Sequence, residues 1–502
     1  MTTPTNLSNV LLATAEKFPD RPAVKLDDVV LTYADLVEQA KKVAAGLAAE
    51  GIEPGDRVGL VLPNVLAYPV SFYGVQFAGG VVVPMNPLLK AREVEYFLDD
   101  SGAKAVIAFG PMSEDTEKAA GVTGAKFFKA DAVAPTALVA DAPIERIVER
   151  AGDDDAVILY TSGTTGRPKG AQLTHDNLRT NAATSAQEIV TIDEDDVVMG
   201  CLPLFHVFGL TCGMNAAFSV GAVLTLIPRF DPAKALEVIG RDRVTVFEGV
   251  PTMYGAMLNH PDRTGADTSS LKTCASGGSA LPVELLKSFE QAFGCAILEG
   301  YGLSETAPVA SFNMRSKGRK PGTIGTTIPG VEMRLIDDEW NTVPEGEVGE
   351  IAIKGENIMK GYWNKPDATE ESIKDGWFRS GDLATVDDEG FYTIVDRKKD
   401  MIIRGGMNVY PREIEEVLYE HPDVLEAAVV GIPDEEFGEQ VGAAVSLKED
   451  ADVSPEQIIA FVKERVAGYK YPRQVWIVGE LPKGPTGKIL RREVKAPLPD
   501  GD

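Results

Sequence analysis

Residues 160–170 have the sequence YTSGTTGRPKG, and they constrain the fold of this chain more than any other segment. They overlap the end of an apolar run, residues 156–160, whose length and composition predict a buried strand. Glycines let backbone N–H groups approach an anion closely, Ser and Thr hydroxyls add donors, and Lys169 adds a positive charge. The segment therefore predicts a polyphosphate-binding loop at a strand end. It is not a Walker A loop, because Gly-Lys-Ser/Thr does not follow at the required spacing.

Length and composition are those of a large, acidic globular protein. At 502 residues the chain is too long for one ordinary core, so we expect at least two domains. Its net charge of −27 disfavours nucleic acid as a partner, because a phosphate backbone favours a basic surface. An anionic nucleotide would then require a local supply of basic residues, and the last fifth of the chain has one, which includes Arg397, Lys399 and Lys488.

The four cysteines are widely spaced and form no CxxC pair. A disulfide framework or zinc site is therefore not expected, and reduced thiols in the cytoplasm are the default. The first residues lack a basic segment followed by an apolar one, so secretion is not indicated.

Residues 197–228 contain no Lys, Arg, Asp or Glu, which makes them a membrane-span candidate by length alone. Proline, histidine and several glycines interrupt the run, and no basic residue anchors its start. We therefore expect two buried elements separated by a loop at residues 203–209, and no integral membrane segment.

The first two-thirds of the chain alternates short apolar runs with helical patterns, which predicts an α/β fold with doubly wound parallel sheets. The predicted strands are residues 58–62, 80–84, 105–109, 223–227, 244–247, 271–275 and 296–299. The predicted helices include residues 33–50, 91–99 and 232–241.

After about residue 330 the pattern changes, and residues 346–353 and 390–395 predict strands of a small antiparallel, barrel-like unit. A compact α+β pattern follows, with helices predicted at 411–420 and 455–466 and strands at 424–430 and 441–447. We predict a large N-terminal domain at residues 1–396, a hinge at 397–400 and a small, mobile C-terminal domain at 401–502.

The 160–170 loop resembles the signature of the acyl-adenylate-forming family, which includes acyl- and aryl-CoA synthetases, firefly-type luciferases and peptide-synthetase adenylation domains. Four more of that family's motifs follow in order, and the resemblance spans nearly the whole chain. They are GYGLSET at 300–306, SGD at 380–382, DRKKDMIIRGGMNVYP at 396–411 and LPKGPTGKILR at 481–491. The resemblance implies ATP, Mg²⁺ and coenzyme A as cofactors or co-substrates.

The resemblance also implies roles for individual residues. Those implied to bind ATP or AMP are Thr161, Ser162, Gly163, Thr164, Thr165, Gly166, Lys169, Gly278, Gly300, Tyr301, Gly302, Thr306, Asp382, Ile394, Arg397 and Lys488. Those implied to be catalytic are Lys488, Thr165, His206 and Glu305, with Glu305, and Thr165 beside it, as the Mg²⁺ ligands.

Further implied sites concern the acid, coenzyme A and the movement of the small domain. The acyl pocket is expected at His206, Val207, Ser276 and Gly277, with His206 as a wall of the pocket and not as a general base. The hinge pivot is expected at Lys399. Coenzyme A is expected to pass Lys399, Gly405 and Gly406.

The implied reaction activates a carboxylic acid to an acyl-adenylate with release of pyrophosphate and then transfers the acyl group to coenzyme A with release of AMP. The candidate pocket wall, residues 205–214, 247–257 and 275–281, is interpreted as apolar, so a hydrophobic acid is expected. A medium- or long-chain fatty acid is the first expectation and a coumarate-like aryl acid the second. A non-catalytic nucleotide-binding sensor is the third alternative. Whether the protein forms a homodimer is left open. We expect a cytoplasmic location, either free or at the membrane surface.

Overall fold

The computed structural model describes residues 6–161 and 167–497. Within these ranges the largest sheet has nine strands, and its central six strands run parallel to one another. In spatial order the strands are Thr326–Thr327, Val309–Phe312, Ala296–Gly302, Thr273–Ser276, Val246–Gly249, Val197–Gly200, Val223–Leu226, Pro22–Leu26 and Val29–Thr32.

A second sheet has seven strands in the described ranges and is parallel except at the edge that follows the predicted phosphate loop. Its order is Gly361–Tyr362, Lys169–Thr174, Asp155–Thr161, Val81–Pro84, Arg57–Val61, Ala105–Phe109 and Lys126–Ala130. Strand Lys169–Thr174 therefore returns antiparallel beside Asp155–Thr161, with Thr161 opposite Lys169.

Helices pack between and outside these two sheets, as the βα alternation predicts. Helix Ala67–Phe77 is buried at every residue, which fits its sequence without charged side chains and a position inside the core. Tyr33 at the start of one helix and Tyr73 of another both pack against Phe218. The α-helices of this region are Leu7–Lys17, Tyr33–Ala49, Ala67–Phe77, Ala91–Ser101, Glu114–Thr123, His175–Thr184, Ala216–Val220, Pro232–Asp242, Pro251–Leu258, Val283–Phe293 and Pro366–Ser372, with π-helices at Ser185–Ile189 and Phe208–Asn215.

An antiparallel unit follows, as predicted. Its strands are Val331–Ile336, Gly349–Gly355, Trp377–Val386, Ile373–Lys374 and Tyr392–Arg397. The last of these strands leads directly into the segment predicted to be the hinge.

The C-terminal part has its own sheet, its own two helices and its own core. The strands are Ile402–Arg404, Met407–Val409, Val424–Asp434, Gly438–Leu447 and Gln474–Ile477, and the helices are Pro411–Tyr419 and Pro455–Lys463. The main buried cluster of this part begins at Ile402, whereas the buried residues of the large cluster end at Tyr392. The hinge at 397–400 stays a prediction, and it lies in the gap between these two cores.

Several predicted boundaries shift by a few residues. The strand predicted at 244–247 lies at Val246–Gly249, because the backbone of Val244 is still bonded to the end of the preceding helix. The strand predicted at 296–299 continues to Gly302, because Val309–Phe312 pairs with its far end.

The interpretation of residues 197–228 as two buried elements was incomplete. The segment forms strand Val197–Gly200, a helical stretch from Phe208 to Val220 and strand Val223–Leu226. Gly209 is therefore helical rather than part of a loop. Across the described residues, no helix is long and apolar enough to cross a membrane.

Gly325 shows how closely the large unit is packed next to the nucleotide-side strands. Its φ is +77°, and an added Cβ atom would lie 2.0 Å from the carbonyl carbon and oxygen of Phe312. Gly346 has a similar φ of +82° but has no heavy atom within 4 Å of an added Cβ. The two glycines thus share the backbone requirement and differ in the space around them.

We expect Gly325→Ala to destabilise the large unit by at least about 3 kcal/mol, because backbone atoms of a paired strand must move. Gly346→Ala should cost only about 1–2 kcal/mol, the strain of a left-handed alanine. Urea denaturation followed by intrinsic fluorescence measures both midpoints. Equal midpoints for the two variants would contradict this account of the packing.

Candidate active site

Lys488 reaches from the C-terminal part into the large unit. An added Cβ on Gly278 would lie 2.6 Å from Lys488 Cε and 3.1 Å from its Nζ, so only glycine leaves room for this side chain. Gly278 follows strand Thr273–Ser276 and has a φ of +84°. The lysine of the last motif is therefore in contact with a glycine about two hundred residues before it in the sequence.

A short turn presents Lys488. Lys483 and Ile489 pair as an isolated antiparallel bridge, and the Gly484 N–H donates to the Lys488 carbonyl at 2.8 Å. The Thr252 hydroxyl donates to the Gly487 carbonyl at 2.8 Å, which seats this turn on the large unit. The Pro- and Gly-rich sequence at 482–487 suits such a turn.

Charge around Lys488 favours an anionic ligand. Burial, with the Arg397 charge second, lowers the pKa of Lys488 to about 8, and the Asp382 carboxylate opposes this shift. Two cationic side chains thus stand beside one carboxylate. A ligand with several negative charges would restore the balance and stabilise the charged lysine.

Asp382 links Tyr301 and Arg397. Asp382 and Arg397 are opposite one another on paired strands, and the Arg397 Nε is 3.3 Å from Asp382 Oδ1. The Tyr301 hydroxyl donates to Asp382 Oδ2 at 2.6 Å. Burial raises the pKa of Asp382, and Arg397 and Tyr301 oppose that shift. The arrangement is a fixed carboxylate acceptor beside a half-exposed guanidinium.

A second cluster, formed by Thr161, Lys169, Glu305 and Tyr362, surrounds the end of the predicted phosphate loop. The Tyr362 hydroxyl donates to Glu305 Oε1 at 2.8 Å, and Lys169 Nζ lies 4.3 Å from the centre of the Tyr362 ring. Burial raises the pKa of Glu305, while Tyr362, Lys169 and Thr161 lower it. A buried carboxylate in this position would be stabilised by a cation.

This cluster suits an Mg²⁺ ion that is coordinated by both protein and phosphate oxygens. In the described residues no group of three or more metal-ligating side chains is gathered. Mg²⁺ typically takes only one or two protein carboxylates and completes its shell with substrate phosphates and water. Glu305 is suited to be that one carboxylate.

His206 lies close to Lys488, and the Phe208 ring packs beside Gly277. Burial, assisted by the nearby Lys488 charge, lowers the pKa of His206 to about 3, so the imidazole is neutral at physiological pH. Its Nδ1 accepts a hydrogen bond from the Phe208 N–H at 3.3 Å. An added Cβ on Gly277 would lie 3.1 Å from the Phe208 ring. Neutral imidazole and aromatic ring together form a wall and not a proton-transfer group.

Buried ionic contacts beside the predicted hinge hold the C-terminal part in this position. Arg491 donates to Asp396 Oδ1 at 2.7 Å and through its Nε to Glu415 at 2.9 Å. The Arg412 N–H donates to the other Asp396 oxygen at 2.9 Å. Because Arg491 lies three residues beyond Lys488, these contacts fix where Lys488 can reach.

Two models of known families match the chain. The AMP-binding enzyme model matches residues 11–363, and the AMP-binding enzyme C-terminal domain model matches residues 413–488. The chain belongs to the AMP-binding enzyme family. The family membership that the motifs predicted is thus confirmed.

Named relatives agree on the reaction and differ in the acid. The chain is 39% identical to a long-chain-fatty-acid–CoA ligase of Bacillus subtilis, covering 97% of this chain and 94% of that protein. It is also 39% identical to a feruloyl-CoA synthase of Amycolatopsis, covering 96% of each. A benzoate CoA ligase from Burkholderia xenovorans has the same fold, with a TM-score of 0.90, 35% identity and coverage of 97% of this chain and 99% of that one.

Family membership establishes the general reaction. The protein is an AMP-forming acyl-CoA ligase that works through an adenylate intermediate. AMP-binding acyl-CoA ligases use ATP, Mg²⁺ and coenzyme A. The prediction that all three are used is therefore confirmed, whereas the roles of individual residues stay predictions.

Nine of the predicted residues of this AMP-binding enzyme come together in the two groups described above: Thr161, Lys169, His206, Gly278, Tyr301, Glu305, Asp382, Arg397 and Lys488. The predicted contacts of Ser162, Gly163, Thr164, Thr165 and Gly166 lie outside the described residues. Other predicted residues contribute backbone atoms or allow neighbouring residues to approach closely. Gly300 and Gly302 lie against Phe312 and Pro308, the Ile394 carbonyl accepts from Arg412, Val207 is buried, and the buried Ser276 hydroxyl has no partner in the described part of the chain.

Thr306 and the predicted coenzyme A residues are not presented to the Lys488 group. Thr306 is fully buried, and its hydroxyl is occupied by the carbonyls of Leu303 and Pro308. Gly405 and Gly406 form the turn of the hairpin that begins at Ile402, and the Gly405 N–H donates to the Phe437 carbonyl at 2.8 Å. With Lys488 inserted, the hairpin makes its hydrogen bonds within the C-terminal part.

Some residues of the site were missed by sequence reasoning. Tyr362 lies in none of the motifs, and no role was predicted for Asp396 within the 396–411 motif, although each bonds directly to a residue of a predicted motif. Glu248 is the more informative omission. It follows residues 244–247, which read Val-Thr-Val-Phe, and is the only acidic residue between 243 and 261, a pattern that signals a buried carboxylate.

Proposed function

We propose that this AMP-binding enzyme is a CoA ligase for hydrophobic monocarboxylic acids, with a medium- or long-chain fatty acid as the class predicted from sequence. The observation that carries the proposal is the contact of Lys488 with Gly278, next to His206 and the Asp382–Arg397 pair. An ammonium group at this point has an apolar wall on one side and a carboxylate–guanidinium pair on the other.

Lys488 is suited to join the two anionic reactants of the first step. An acid carboxylate and the α-phosphate of ATP repel one another, so charge neutralisation and alignment dominate catalysis of their reaction. The Asp382 carboxylate can accept the ribose hydroxyls, with Arg397 beside it. Neutral His206 then separates the acyl side from the nucleotide side.

The Thr161–Lys169–Glu305 cluster supports binding of the remaining phosphates. Lys169 adds positive charge where the predicted loop ends, and Glu305 would hold Mg²⁺ together with phosphate oxygens. The metal supplies charge neutralisation of the pyrophosphate that leaves. Attack of the acid carboxylate on the α-phosphate then forms acyl-AMP and expels pyrophosphate.

Transfer to coenzyme A requires a different position of the C-terminal part. Lys488 occupies the approach to the acyl carbon, so it must withdraw before a thiol can attack. Rotation about Lys399 would remove it and turn the hairpin at Gly405 and Gly406 toward the site. Attack by the thiol on the acyl carbon breaks the mixed anhydride and releases AMP.

An aryl acid is the second candidate substrate. Two relatives act on aryl acids by name, feruloyl-CoA synthase and benzoate CoA ligase. A polar group inside the apolar wall, the carboxyl of Glu248, favours an acyl group that is not a plain hydrocarbon. The overall chemistry is the same for either acid.

Lys488→Ala should lower the rate of acyl-AMP formation at least about a hundredfold, because a charged group that acts in the transition state is lost. Thioester formation from supplied acyl-AMP should change little. Pyrophosphate exchange and thioester assays measure the two halves. Lys483→Ala, on the same turn but exposed and paired with Glu426, is the control and should affect neither. Equal loss of both halves in Lys488→Ala would refute the division of roles.

The rate of adenylation should fall as pH rises through about 8. The free enzyme needs charged Lys488, whose pKa is lowered to about 8, so kcat/KM for pyrophosphate exchange should decrease above that pH. Lys488→Arg, which stays charged, should remove this alkaline limb even if its rate is lower. An unchanged limb in the arginine variant would assign it to another group.

A panel of acids tests the function itself. Pyrophosphate and AMP release should be measured with fatty acids of increasing length and with aryl acids, with and without coenzyme A. We expect AMP release that depends on both a hydrophobic acid and coenzyme A. Nucleotide binding without AMP release for every acid would instead identify a non-catalytic sensor.

A further inference from the structure

A buried carboxyl group lies in the wall of the predicted acyl pocket and has no part in the adenylation chemistry. Glu248 belongs to strand Val246–Gly249 and is only 2% exposed. Ala275 stands beside it on one neighbouring strand, and the register of the other strand continues to Gly200. Because these neighbours on the adjacent strands are small, their side chains do not cover the Glu248 carboxyl group.

The helical segment that begins beside His206 covers this face of the sheet. An added Cβ on Gly213, in the π-helix Phe208–Asn215, would lie 3.4 Å from Glu248 Oε2. Gly213 is seven residues beyond His206 in the sequence. Long π-helical turns are rare and often mark functional sites. Ala275, opposite Glu248, comes three residues before the Gly278 that contacts Lys488, so Glu248 lies at the end of the predicted pocket remote from Lys488.

The carboxyl group lacks a protein partner in the part of the chain that the structure describes. Outside the strand ladder, the hydrogen bond made by Glu248 is one that its backbone carbonyl accepts from the Cys201 thiol at 3.5 Å. Burial raises the pKa of Glu248 to about 8, so the side chain is neutral at pH 7. The titratable groups near it are Cys201, Cys212 and Tyr254, and burial raises the pKa of each, so they are neutral as well.

We propose that Glu248 is a specificity-determining residue that binds a hydroxyl group carried by the acyl substrate at the end remote from its carboxylate. This inference rests on the proposed CoA-ligase function and narrows the class of acid. A neutral carboxyl group has one O–H donor and spare acceptor capacity, and a hydroxyl group offers the complementary pair.

Other polar groups match this environment less well. A second carboxylate on the substrate would place a negative charge in a buried environment where, among the residues that the structure describes, burial alone shifts the pKa of Glu248 and no cation opposes it. A plain hydrocarbon end would leave the carboxyl group unsatisfied in the complex. A site built to bond a hydroxyl rejects the analogue that lacks it, because its own polar group is then left unpaired.

The test compares matched acids that differ in one hydroxyl. Cinnamic acid with 4-hydroxycinnamic acid is the aryl pair, and decanoic acid with 10-hydroxydecanoic acid is the aliphatic pair. We expect kcat/KM for pyrophosphate release to be on the order of 10- to 100-fold higher for the hydroxylated member of at least one pair. The pair that shows the preference identifies whether the hydroxyl is phenolic or aliphatic.

Two variants assign this preference to Glu248. Glu248→Leu should abolish the preference, mainly by raising kcat/KM for the acid that lacks the hydroxyl. Glu248→Gln should keep most of the preference, because an amide still donates and accepts hydrogen bonds. In the wild type the preference should decline as pH rises through about 8, and in Glu248→Gln it should not. Thr225→Val removes a buried hydroxyl on the opposite face of the same sheet and should leave the ratio unchanged.

The outcomes separate the two levels of the proposal. Activity with several acids but no hydroxyl preference, or a preference that Glu248→Leu leaves intact, would overturn the assignment to Glu248 while leaving the ligase function in place. Absence of activity with every acid would overturn both. If Glu248→Leu fails to fold, the pH dependence of the wild type and of Glu248→Gln decides, because a purely structural carboxyl would not shift a substrate ratio.

Discussion

The carboxylate of Asp396 is the contact on which the geometry of the nucleotide site depends. Asp396 is buried and belongs to the last strand before the predicted hinge. Its carboxylate accepts hydrogen bonds from the Arg491 side chain and from the Arg412 N–H. Arg491 also bonds Glu415, so one guanidinium ties the tail, a helix of the C-terminal part and the large unit together. Removing one partner of a buried ion pair is costly, because the other charge is left uncompensated. The pair therefore specifies one arrangement, that in which Lys488 meets Gly278.

This arrangement explains how an acidic protein can accept anionic substrates. The net charge of −27 is spread over the molecule, whereas Lys488 and Arg397 converge on a partly enclosed space with one carboxylate between them. In such a space, interactions between charges are stronger than at an exposed surface. The lowered pKa of Lys488 follows from the same enclosure, and a bound polyphosphate would reverse it. Binding of ATP and the charge state of the lysine are thus coupled.

Much of the fold was predictable because the hydrophobic pattern is local. Strand Ala105–Phe109 has the predicted bounds, and helix Tyr33–Ala49 ends one residue early. The family motifs predicted Lys488, Asp382 and Glu305 as site residues, but they did not predict the side chains that these residues contact. The contact of Lys488 with Gly278 joins residues about two hundred positions apart, and the occupied hydroxyl of Thr306 depends on a turn that its motif does not reveal. Such contacts depend on tertiary packing and not on spacing in sequence.

Glu248 was missed because the predicted strand stopped at Phe247, one residue before it. Its burial is nevertheless the least expected feature of the pocket. Holding a carboxyl group at a pKa of about 8 rather than near 4.5 corresponds to about 5 kcal/mol of unfavourable free energy for the ionised form. A hydrophobic residue of similar size would avoid the cost of protonating and desolvating a carboxyl group and could pack against Ala275 and Gly213. A carboxyl group that destabilises its own ionised state in this way, without a protein partner among the described residues, is better explained by a ligand that bonds it than by packing.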